Sequence, residues 1–278
     1  MNILLLTLAL LGSLGLLGSL ILYFTSKRFH VEEDPRIDKI CELLPGANCG
    51  GCGFKGCRDF ATQCVLLGDT GKLFCPVSGA EGMQKIAAIL GVDAGEHERQ
   101  VAVLRCAGTC DARPAIHQYM GVRSCAVMDS TGVGTTGCSF GCLGCGDCVD
   151  VCAFGAISID PSTLLPVIDT DKCTACGACT QECPRHLIEL RPAGRRDRRV
   201  WVACSSRDKG AVARKVCAAA CIGCGKCAKE CPFGAIQVTD NLAYIDPAQC
   251  KACGKCIGVC PTVAIHATFT PVTKKAQE

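Results

Sequence analysis

Four cysteine runs of one form constrain the fold of this chain more than any other feature. Each run reads Cys-x2-Cys-x2-Cys-x3-Cys, and the runs begin at Cys142, Cys173, Cys221 and Cys250. In this spacing three thiolates hold one iron–sulfur cluster, and the fourth crosses to the other cluster of a pair. Zinc is the usual alternative for a Cys-x2-Cys pair. Four paired runs of four thiolates favour [4Fe–4S] clusters.

The crossing pattern assigns a ligand set to each of four clusters. Clusters 2 and 3 belong to the first two runs, and clusters 4 and 5 belong to the last two. The predicted ligands are Cys142, Cys145, Cys148 and Cys183 for cluster 2; Cys173, Cys176, Cys179 and Cys152 for cluster 3; Cys221, Cys224, Cys227 and Cys260 for cluster 4; and Cys250, Cys253, Cys256 and Cys231 for cluster 5.

The two pairs of runs are duplicated. The third run lies 79 residues after the first, and the second half of each pair is offset by 77 residues. The offset of 79 also relates Cys125 and Cys138 in the first copy to Cys204 and Cys217 in the second. Between the runs of each copy, two short β-like segments flank turn-forming residues, as a hairpin requires. The sequence therefore predicts two ferredoxin-like units, at residues 136–190 and 216–270.

A different cysteine pattern lies nearer the N-terminus. It has the spacing Cys-x2-Cys-x4-Cys, and a Cys-Pro pair follows after seventeen intervening residues. Glycines beside these cysteines let backbone N–H groups approach sulfur, and such hydrogen bonds tune the reduction potential. We expect a small, mainly helical domain over residues 27–92. The predicted ligands of its cluster, cluster 1, are Cys49, Cys52, Cys57 and Cys75.

An apolar N-terminal segment determines the expected compartment. Residues 3–24 carry no charge, and 22 helical residues extend roughly 33 Å, enough to span a hydrocarbon core of about 30 Å. Basic residues do not precede the segment, whereas Lys27 and Arg28 follow it, so the positive-inside rule places the bulk of the chain in the cytoplasm. We expect a retained single-pass anchor over residues 1–26 in the cytoplasmic membrane. In that reducing compartment a content of 28 cysteines indicates metal binding rather than disulfides.

Together these motifs resemble the B subunit of the Rnf complex, the membrane-bound ion-translocating ferredoxin:NAD oxidoreductase. The resemblance rests on the N-terminal span, the Leu-Pro-Gly-Ala-Asn-Cys-Gly-Gly-Cys-Gly segment at 44–53, Cys57, Cys75 and the ferredoxin-like runs. It implies a redox subunit that takes electrons from reduced soluble ferredoxin and passes them to other Rnf subunits, which carry flavins, NAD chemistry and ion translocation. No flavin or NAD is therefore expected on this chain. Shorter family members have one ferredoxin-like unit, whereas this chain has two.

Eight cysteines remain after five clusters have received four ligands each. They are Cys41, Cys64, Cys106, Cys110, Cys125, Cys138, Cys204 and Cys217. Cys41 and Cys64 are expected to be buried as small hydrophobic residues. The candidate ligands of a sixth cluster are Cys106, Cys110, Cys125 and Cys138. A joint site that draws on Cys204 and Cys217, and structural thiols that hold no cluster, are the alternatives.

A basic stretch joins the two predicted units. Residues 185–215 carry ten basic and three acidic residues, and residues 191–215 are the predicted linker. This stretch is either a solvated linker or a docking surface for an acidic partner such as ferredoxin, or for anionic lipid. Nucleic acid is not expected, because no aromatic stacking pattern accompanies the arginines. The G-x-G-x-x-G pattern at 132–137 follows no β-run, so we expect no dinucleotide site there.

The sequence thus predicts an α+β chain with a transmembrane helix, a small helical [4Fe–4S] domain and two tandem bacterial dicluster ferredoxin-like units. A connector with extra cysteines is predicted over residues 93–135, and a tail over residues 271–278. The leading functional interpretation is serial electron transfer within a translocase, with no bond-making site on this chain. A free-standing membrane-tethered polyferredoxin that serves another reductase is the alternative. A redox sensor is disfavoured, because no DNA-binding or signalling module is visible.

Overall fold

The computed structural model describes residues 2–28, 34–68, 70, 73–95, 97–132 and 134–270. The predicted tail over residues 271–278 lies outside the described residues, as does Val133 of the glycine pattern. The described part is a mixed chain of α-helices and short strands, with its longest helices in the N-terminal third.

The first helix is long, apolar and not packed against the rest of the chain. It is α1 (Asn2–Arg28), and its segment Thr7–Arg28 has a mean hydropathy of 1.9 and no buried residues. Among the described residues it is the one helix long and apolar enough to cross a membrane. Its position agrees with the anchor predicted from residues 3–24.

Three helices form the domain that follows. They are α2 (Pro35–Leu43), α3 (Cys57–Leu67) and α4 (Gly79–Leu90). Asp34 caps α2 by accepting a hydrogen bond of 2.9 Å from the backbone N of Arg36. The apolar faces of the helices meet in a core where Ile40, Phe60 and Ile86 are almost completely buried. This core fixes the loops that precede α3 and α4, which carry the predicted ligands of cluster 1.

Two units with the same order of short elements follow. Unit 1 contains β1 (Gln100–Leu104), α5 (Cys125–Ser130), α6 (Asp147–Asp150), β2 (Ile157–Ile159), β3 (Pro166–Ile168), α7 (Ala178–Glu182) and β4 (Ile188–Pro192). A short 3-10 helix, Arg195–Asp197, leads to unit 2. Unit 2 contains β5 (Val200–Val202), α8 (Gly210–Val216), α9 (Lys226–Glu230), β6 (Ile236–Thr239), β7 (Leu242–Ile245), α10 (Lys255–Gly258) and β8 (Ile265–Ala267).

Each unit has two antiparallel strand pairs in equivalent registers. The inner pairs, β2 with β3 and β6 with β7, are the hairpins that the sequence predicts. The outer pairs join the first strand of a unit to its last: Leu104 of β1 faces Ile188, and Val202 of β5 faces Ile265. Strands β1 and β5 lie in the segments predicted as connector and linker. Both units therefore begin before the predicted boundaries, because a strand that pairs with a distant one leaves no turn signal nearby.

Cysteines form much of the buried interior of the units. In unit 2 the buried cluster contains Cys204, Cys217, Cys221, Cys227 and Cys256 together with valine, isoleucine and alanine side chains. The core of the helical domain consists instead mainly of isoleucine, leucine, phenylalanine and methionine. The stability of the two units therefore depends on a group bound by their thiols to a greater extent than the stability of the helical domain does.

Candidate iron–sulfur sites

The four cysteine runs fold in the same way. The residue before the second cysteine has a left-handed backbone conformation, with φ between 49° and 72°. The glycine after the second cysteine is also left-handed in backbone conformation, with φ between 71° and 100°. These residues are Gly144, Ala175, Gly223 and Ala252 at the first position, and Gly146, Gly177, Gly225 and Gly254 at the second. The glycine also caps the short helix that carries the third cysteine. Ala175 and Ala252 hold this conformation at a cost of about 1–2 kcal/mol each, so their surroundings impose the loop shape.

Three of the predicted ligand sets each surround one cavity. The cluster 3 set lines a cavity of about 330 Å³, the cluster 4 set one of about 350 Å³, and the cluster 5 set one of about 310 Å³. In each cavity one thiol comes from the other run of the same unit, as the predicted crossing requires. Four thiols in a mostly apolar lining are the donor set that a [4Fe–4S] cluster needs. Among the described residues, no three or more His, Cys, Asp or Glu side chains are placed to hold a single metal ion.

The cavity at the cluster 2 set contains a cysteine that sequence reasoning did not place there. Its volume is about 430 Å³, and its cysteines are Cys142, Cys148 and Cys183 together with Cys125. Burial and the neighbouring Cys125 thiol raise the pKa of Cys145, the remaining predicted ligand, to about 11. The Asp147 carboxylate holds Cys125 in place, because it accepts hydrogen bonds of 2.8 Å from the backbone N of Cys125 and from Ser124 Oγ. Five cysteines therefore gather at this site.

Burial makes the thiols in these cavities weak acids. It raises the pKa of Cys148, Cys179 and Cys256 to about 12, and neighbouring thiols add to the rise. Because the thiolate is the metal ligand, these residues release protons when they bind iron. The sites are thus suited to a strongly cationic occupant.

Backbone N–H groups point at several of these sulfurs. The N of Ala156 lies 3.3 Å from Cys152 Sγ, and the N of Leu187 lies 3.4 Å from Cys183 Sγ. Both donors stand four residues after the cysteine that crosses to the other cluster of the pair. Such bonds to cluster sulfurs tune the reduction potential.

The predicted ligands of cluster 1 meet at the edge of the helical domain. Asn48 Oδ1 accepts a hydrogen bond of 2.8 Å from the backbone N of Cys57, which ties the start of the loop to the start of α3. Burial raises the pKa of Cys52, and the nearby thiols of Cys75 and Cys49 contribute. Cys52, Cys57 and Cys75 all contact the core of the domain. The loop therefore directs the predicted set toward one place.

Cys64 and Cys41 lie beside this site. Cys64 is completely buried, as expected, and burial together with the Cys52 and Cys75 thiols raises its pKa to about 12. Cys41 is half-buried and packs against the same core.

The helical domain contacts unit 1 through a glycine. Gly51 lies between Cys49 and Cys52, and a Cβ atom on it would collide with the backbone of Cys176. Only glycine permits such an approach. The loops of predicted clusters 1 and 3 are therefore in direct backbone contact.

The structure does not bring the candidate sixth set together. Helix α5 carries Cys125 to the cluster 2 cavity, and Cys110 is exposed, with its thiol 3.5 Å from the carbonyl oxygen of Thr163. Cys106 and Cys138 line a different cavity. The structure therefore does not support one cluster held by Cys106, Cys110, Cys125 and Cys138. The long segment between Cys106 and Cys138 places Cys110 and Cys125 away from the cavity that the other two cysteines line.

The basic stretch is largely folded into the two units. Strand β4 of unit 1, strand β5 of unit 2 and most of helix α8 lie within it. Arg191 and Arg199 are buried and form ion pairs with Glu189 and Asp197. Its exposed basic residues are Arg195, Arg196, Arg198, Arg207, Lys209, Arg214 and Lys215.

A second basic surface surrounds the cluster 4 and cluster 5 sets, and sequence reasoning missed it. This lysine surface consists of Lys226, Lys229, Lys251 and Lys255, all exposed, beside the exposed Cys224 and Cys253. By the offsets of 79 and 77 residues, the unit 1 counterparts of the four lysines are Asp147, Asp150, Thr174 and Ala178. Comparison of the two copies position by position would have revealed this difference in charge.

Family models for iron–sulfur proteins match most of the cysteine-rich chain. A model described as a 4Fe-4S dicluster domain matches residues 141–187 and 220–264, and a second model with that description matches residues 172–235. A model described as a putative Fe-S cluster matches residues 44–76. These matches cover all the residues of the five predicted ligand sets.

Curated relatives match nearly the full length of the chain. It is 42% identical over 88% of its length, and 72% of the relative's, to the B subunit of the Na⁺-translocating ferredoxin:NAD⁺ oxidoreductase complex of Acetobacterium woodii. It is 41% identical over 88% of its length, and 91% of the relative's, to the B subunit of the ion-translocating oxidoreductase complex of Methanosarcina acetivorans. The B subunit of the proton-translocating ferredoxin:NAD⁺ oxidoreductase complex of Clostridium ljungdahlii is 39% identical, with 88% and 85% covered. The chain therefore belongs to the family of B subunits of Rnf-type ion-translocating oxidoreductase complexes.

Proposed function

We propose that this chain is the iron–sulfur electron-transfer subunit of a membrane-bound complex that couples ferredoxin:NAD electron transfer to ion translocation. The observation that carries the proposal is the set of adjoining cavities, each lined by four or more cysteines, in a member of this family. A [4Fe–4S] cluster supplies one-electron transfer when it is bound. The residues of the chain supply thiolate ligands, backbone N–H donors and an apolar lining that limits water.

The five proposed cluster sites form two groups of neighbouring sites rather than one centre. The thiols of Cys179 and Cys148 act on one another, which connects the cluster 3 and cluster 2 sites. The thiols of Cys256 and Cys227 connect the cluster 5 and cluster 4 sites in the same way. The contact of Gly51 with unit 1 adds the cluster 1 site to the group in unit 1.

Helix α1 is proposed to anchor the chain in a single pass, with the remainder on the cytoplasmic side. Lys27 and Arg28, in the last turn of α1, support this orientation by the positive-inside rule. The lysine surface then faces the compartment in which soluble electron carriers are found.

Membership of a complex is tested by purification. The full chain, tagged at its C-terminus and extracted in mild detergent, should bring flavin-containing partner subunits with it. A stable flavin-containing membrane complex supports the proposal. A chain that is recovered alone under conditions that keep membrane complexes intact would favour the free-standing polyferredoxin.

The lysine surface is proposed as the docking site for reduced ferredoxin. Four exposed cations surround the two most exposed cysteines of the cluster 4 and cluster 5 sets. Complementary charge accelerates the encounter with an acidic partner by 10-fold or more at low ionic strength. Electron transfer also benefits when a cluster site lies close to the docked partner, and the exposure of Cys224 and Cys253 provides that.

Charge reversal on the lysine surface tests the docking site. In the full complex, the double substitution Lys251→Glu and Lys255→Glu should slow ferredoxin oxidation by about 10-fold at low ionic strength, and by less in about 0.5 M salt, because salt screens exposed charges. The matched control is Arg195→Ser with Arg196→Ser, which removes two exposed cations of the basic stretch. If the charge-reversed variant oxidises ferredoxin at the rate of the unsubstituted complex, the docking site is rejected. If only the control variant is slower, docking takes place on the basic stretch.

A further inference from the structure

A further cavity lies where the two units meet, and four cysteines line it. This junction cavity, with the solvent-open space at its mouth, measures about 340 Å³, similar to the cavities at the predicted cluster sites. Its cysteines are Cys106, Cys138, Cys204 and Cys217, and none of them is more than 9% exposed. We propose that these four cysteines hold a sixth [4Fe–4S] cluster between the two ferredoxin-like units.

The two units contribute equivalent halves of the junction cavity. Cys106 lies two residues after Leu104, the last paired residue of β1, and Cys204 lies two residues after Val202, the last paired residue of β5. In both units the intervening residue donates a backbone hydrogen bond, of 2.7 Å in unit 1 and 2.8 Å in unit 2, to the residue that precedes the partner strand. The other two cysteines, Cys138 and Cys217, are related by the offset of 79 residues. Each unit therefore supplies two thiols from matching positions.

Backbone hydrogen bonds between the units hold the two halves together. The N of Ala107 donates to the carbonyl oxygen of Ala203 at 2.9 Å, and the N of Ala218 donates to the carbonyl oxygen of Ala112 at 2.8 Å. These bonds run beside Cys106 and Cys217. The four thiols are thus held by direct main-chain contact rather than by flexible loops, which is the pre-organisation that a ligand site needs.

A buried arginine lines the same cavity. Arg113 is 7% exposed, and its Nη2 donates to the carbonyl oxygen of Cys142 at 2.5 Å. Its Nε has no hydrogen-bond partner among the described residues. A buried cation needs a compensating anion, and a [4Fe–4S] cluster with four thiolate ligands has a net negative charge.

The junction cavity lies directly between the cluster 2 and cluster 4 sites. The backbone N of Cys142, the first ligand of the cluster 2 set, lies 3.5 Å from Cys106 Sγ. On the other side the backbone of Cys221, the first ligand of the cluster 4 set, lies close to the Cys204 thiol. A cluster at this place completes one series of six sites, from the helical domain through unit 1 to unit 2.

The test is to measure the iron content of the full chain, purified anaerobically in detergent. The expected numbers rest on the proposed function, which assigns clusters to the other five sites. Six clusters require about 24 iron atoms per chain, and five require about 20. The double substitution Cys106→Ala and Cys204→Ala should lower the iron content by about four atoms, and should remove one cluster signal from the EPR spectrum of the reduced protein. The variant Cys138→Ala with Cys217→Ala should do the same.

The matched control is Cys110→Ala, which removes an exposed cysteine near the junction and should leave the iron count unchanged. An iron count of about 20 in the unsubstituted chain, with no loss in either double variant, would overturn the sixth site and leave the proposed function intact. Stoichiometric zinc that disappears with Cys106 and Cys204 would also overturn it. A chain that holds no iron at all would overturn both proposals.

Discussion

Units 1 and 2 share their cysteine runs, loop shape and strand registers, yet they differ in what covers them. In unit 1, Gly51 of the helical domain lies against Cys176. In unit 2 the equivalent cysteine, Cys253, is exposed and lies within the lysine surface. The duplication has therefore kept the proposed ligands and changed the surface around them, so that unit 1 faces the rest of the chain and unit 2 faces outward.

The units also differ in the segment that leads into their first run. Cys106 and Cys138 are 32 residues apart, whereas the equivalent Cys204 and Cys217 are 13 apart. The additional residues of unit 1 carry α5, which Asp147 holds against the cluster 2 site. The counterpart of Asp147 in unit 2 is Lys226. The helix at the same place in the element order, α8, begins at Gly210 against the backbone of Ile222 and is not held by a carboxylate at that position.

The largest expected difference between the units is their response to iron chelation. Because unit 2 has exposed thiols, a chelator should reach its cluster sites before it reaches those of unit 1. Loss of a metal from a thiolate core lowers the free energy of unfolding of a domain by an amount on the order of several kcal/mol. Amide hydrogen exchange of the full chain, measured by mass spectrometry during anaerobic chelation, should show loss of protection in β6 and β7 before β2 and β3. If both hairpins lose amide protection at the same time, the different surroundings of the two units do not affect their response to chelation.

A methyl group at the contact of the helical domain with unit 1 should have the next largest effect. Gly51→Ala places a Cβ atom against the backbone of Cys176, and overpacking of this kind costs about 1–3 kcal/mol. The measurement is limited proteolysis of the helical domain, which should become faster. Gly258→Ala in unit 2 is the control, because a Cβ there meets no atom within 4 Å. Equal proteolysis of the two variants would contradict the contact.

The smallest expected effect concerns the hydrogen bonds that hold α5. Asp147→Ala removes the acceptor for Ser124 Oγ and the backbone N of Cys125, and loss of a helix-capping group costs about 1 kcal/mol. Thermal unfolding of the variant should begin at a lower temperature than in the matched control, Lys226→Ala. If both variants unfold alike, α5 does not depend on Asp147.

The parts of the molecule that local spacing determines were predictable from the sequence. Each cysteine run is a continuous loop and short helix, so its spacing agrees with the thiols that line three of the cavities, whereas Cys125 joins the cluster 2 cavity from a distant helix. The inner hairpins follow from turn signals between the runs. The outer strand pairs were not predictable, because their partners are far apart in the chain. Without them, the constant offset paired Cys204 with Cys125, whereas strand register pairs it with Cys106. The additional segment of unit 1 changes the offset between Cys106 and Cys138. For that reason the sequence alone does not match Cys106 with Cys204, and the junction cavity is not apparent from it.

The junction cavity has a consequence for the order of synthesis. Its last thiol, Cys217, follows Cys138 by 79 residues, which takes a ribosome roughly 4–16 s at about 5–20 residues per second. During that interval the thiols of unit 1 wait for those of unit 2, while the cluster 3 site becomes complete in sequence at Cys179. Insertion of iron and sulfide at the junction is therefore expected to come late in maturation, and the nascent chain must protect two reduced thiols until then.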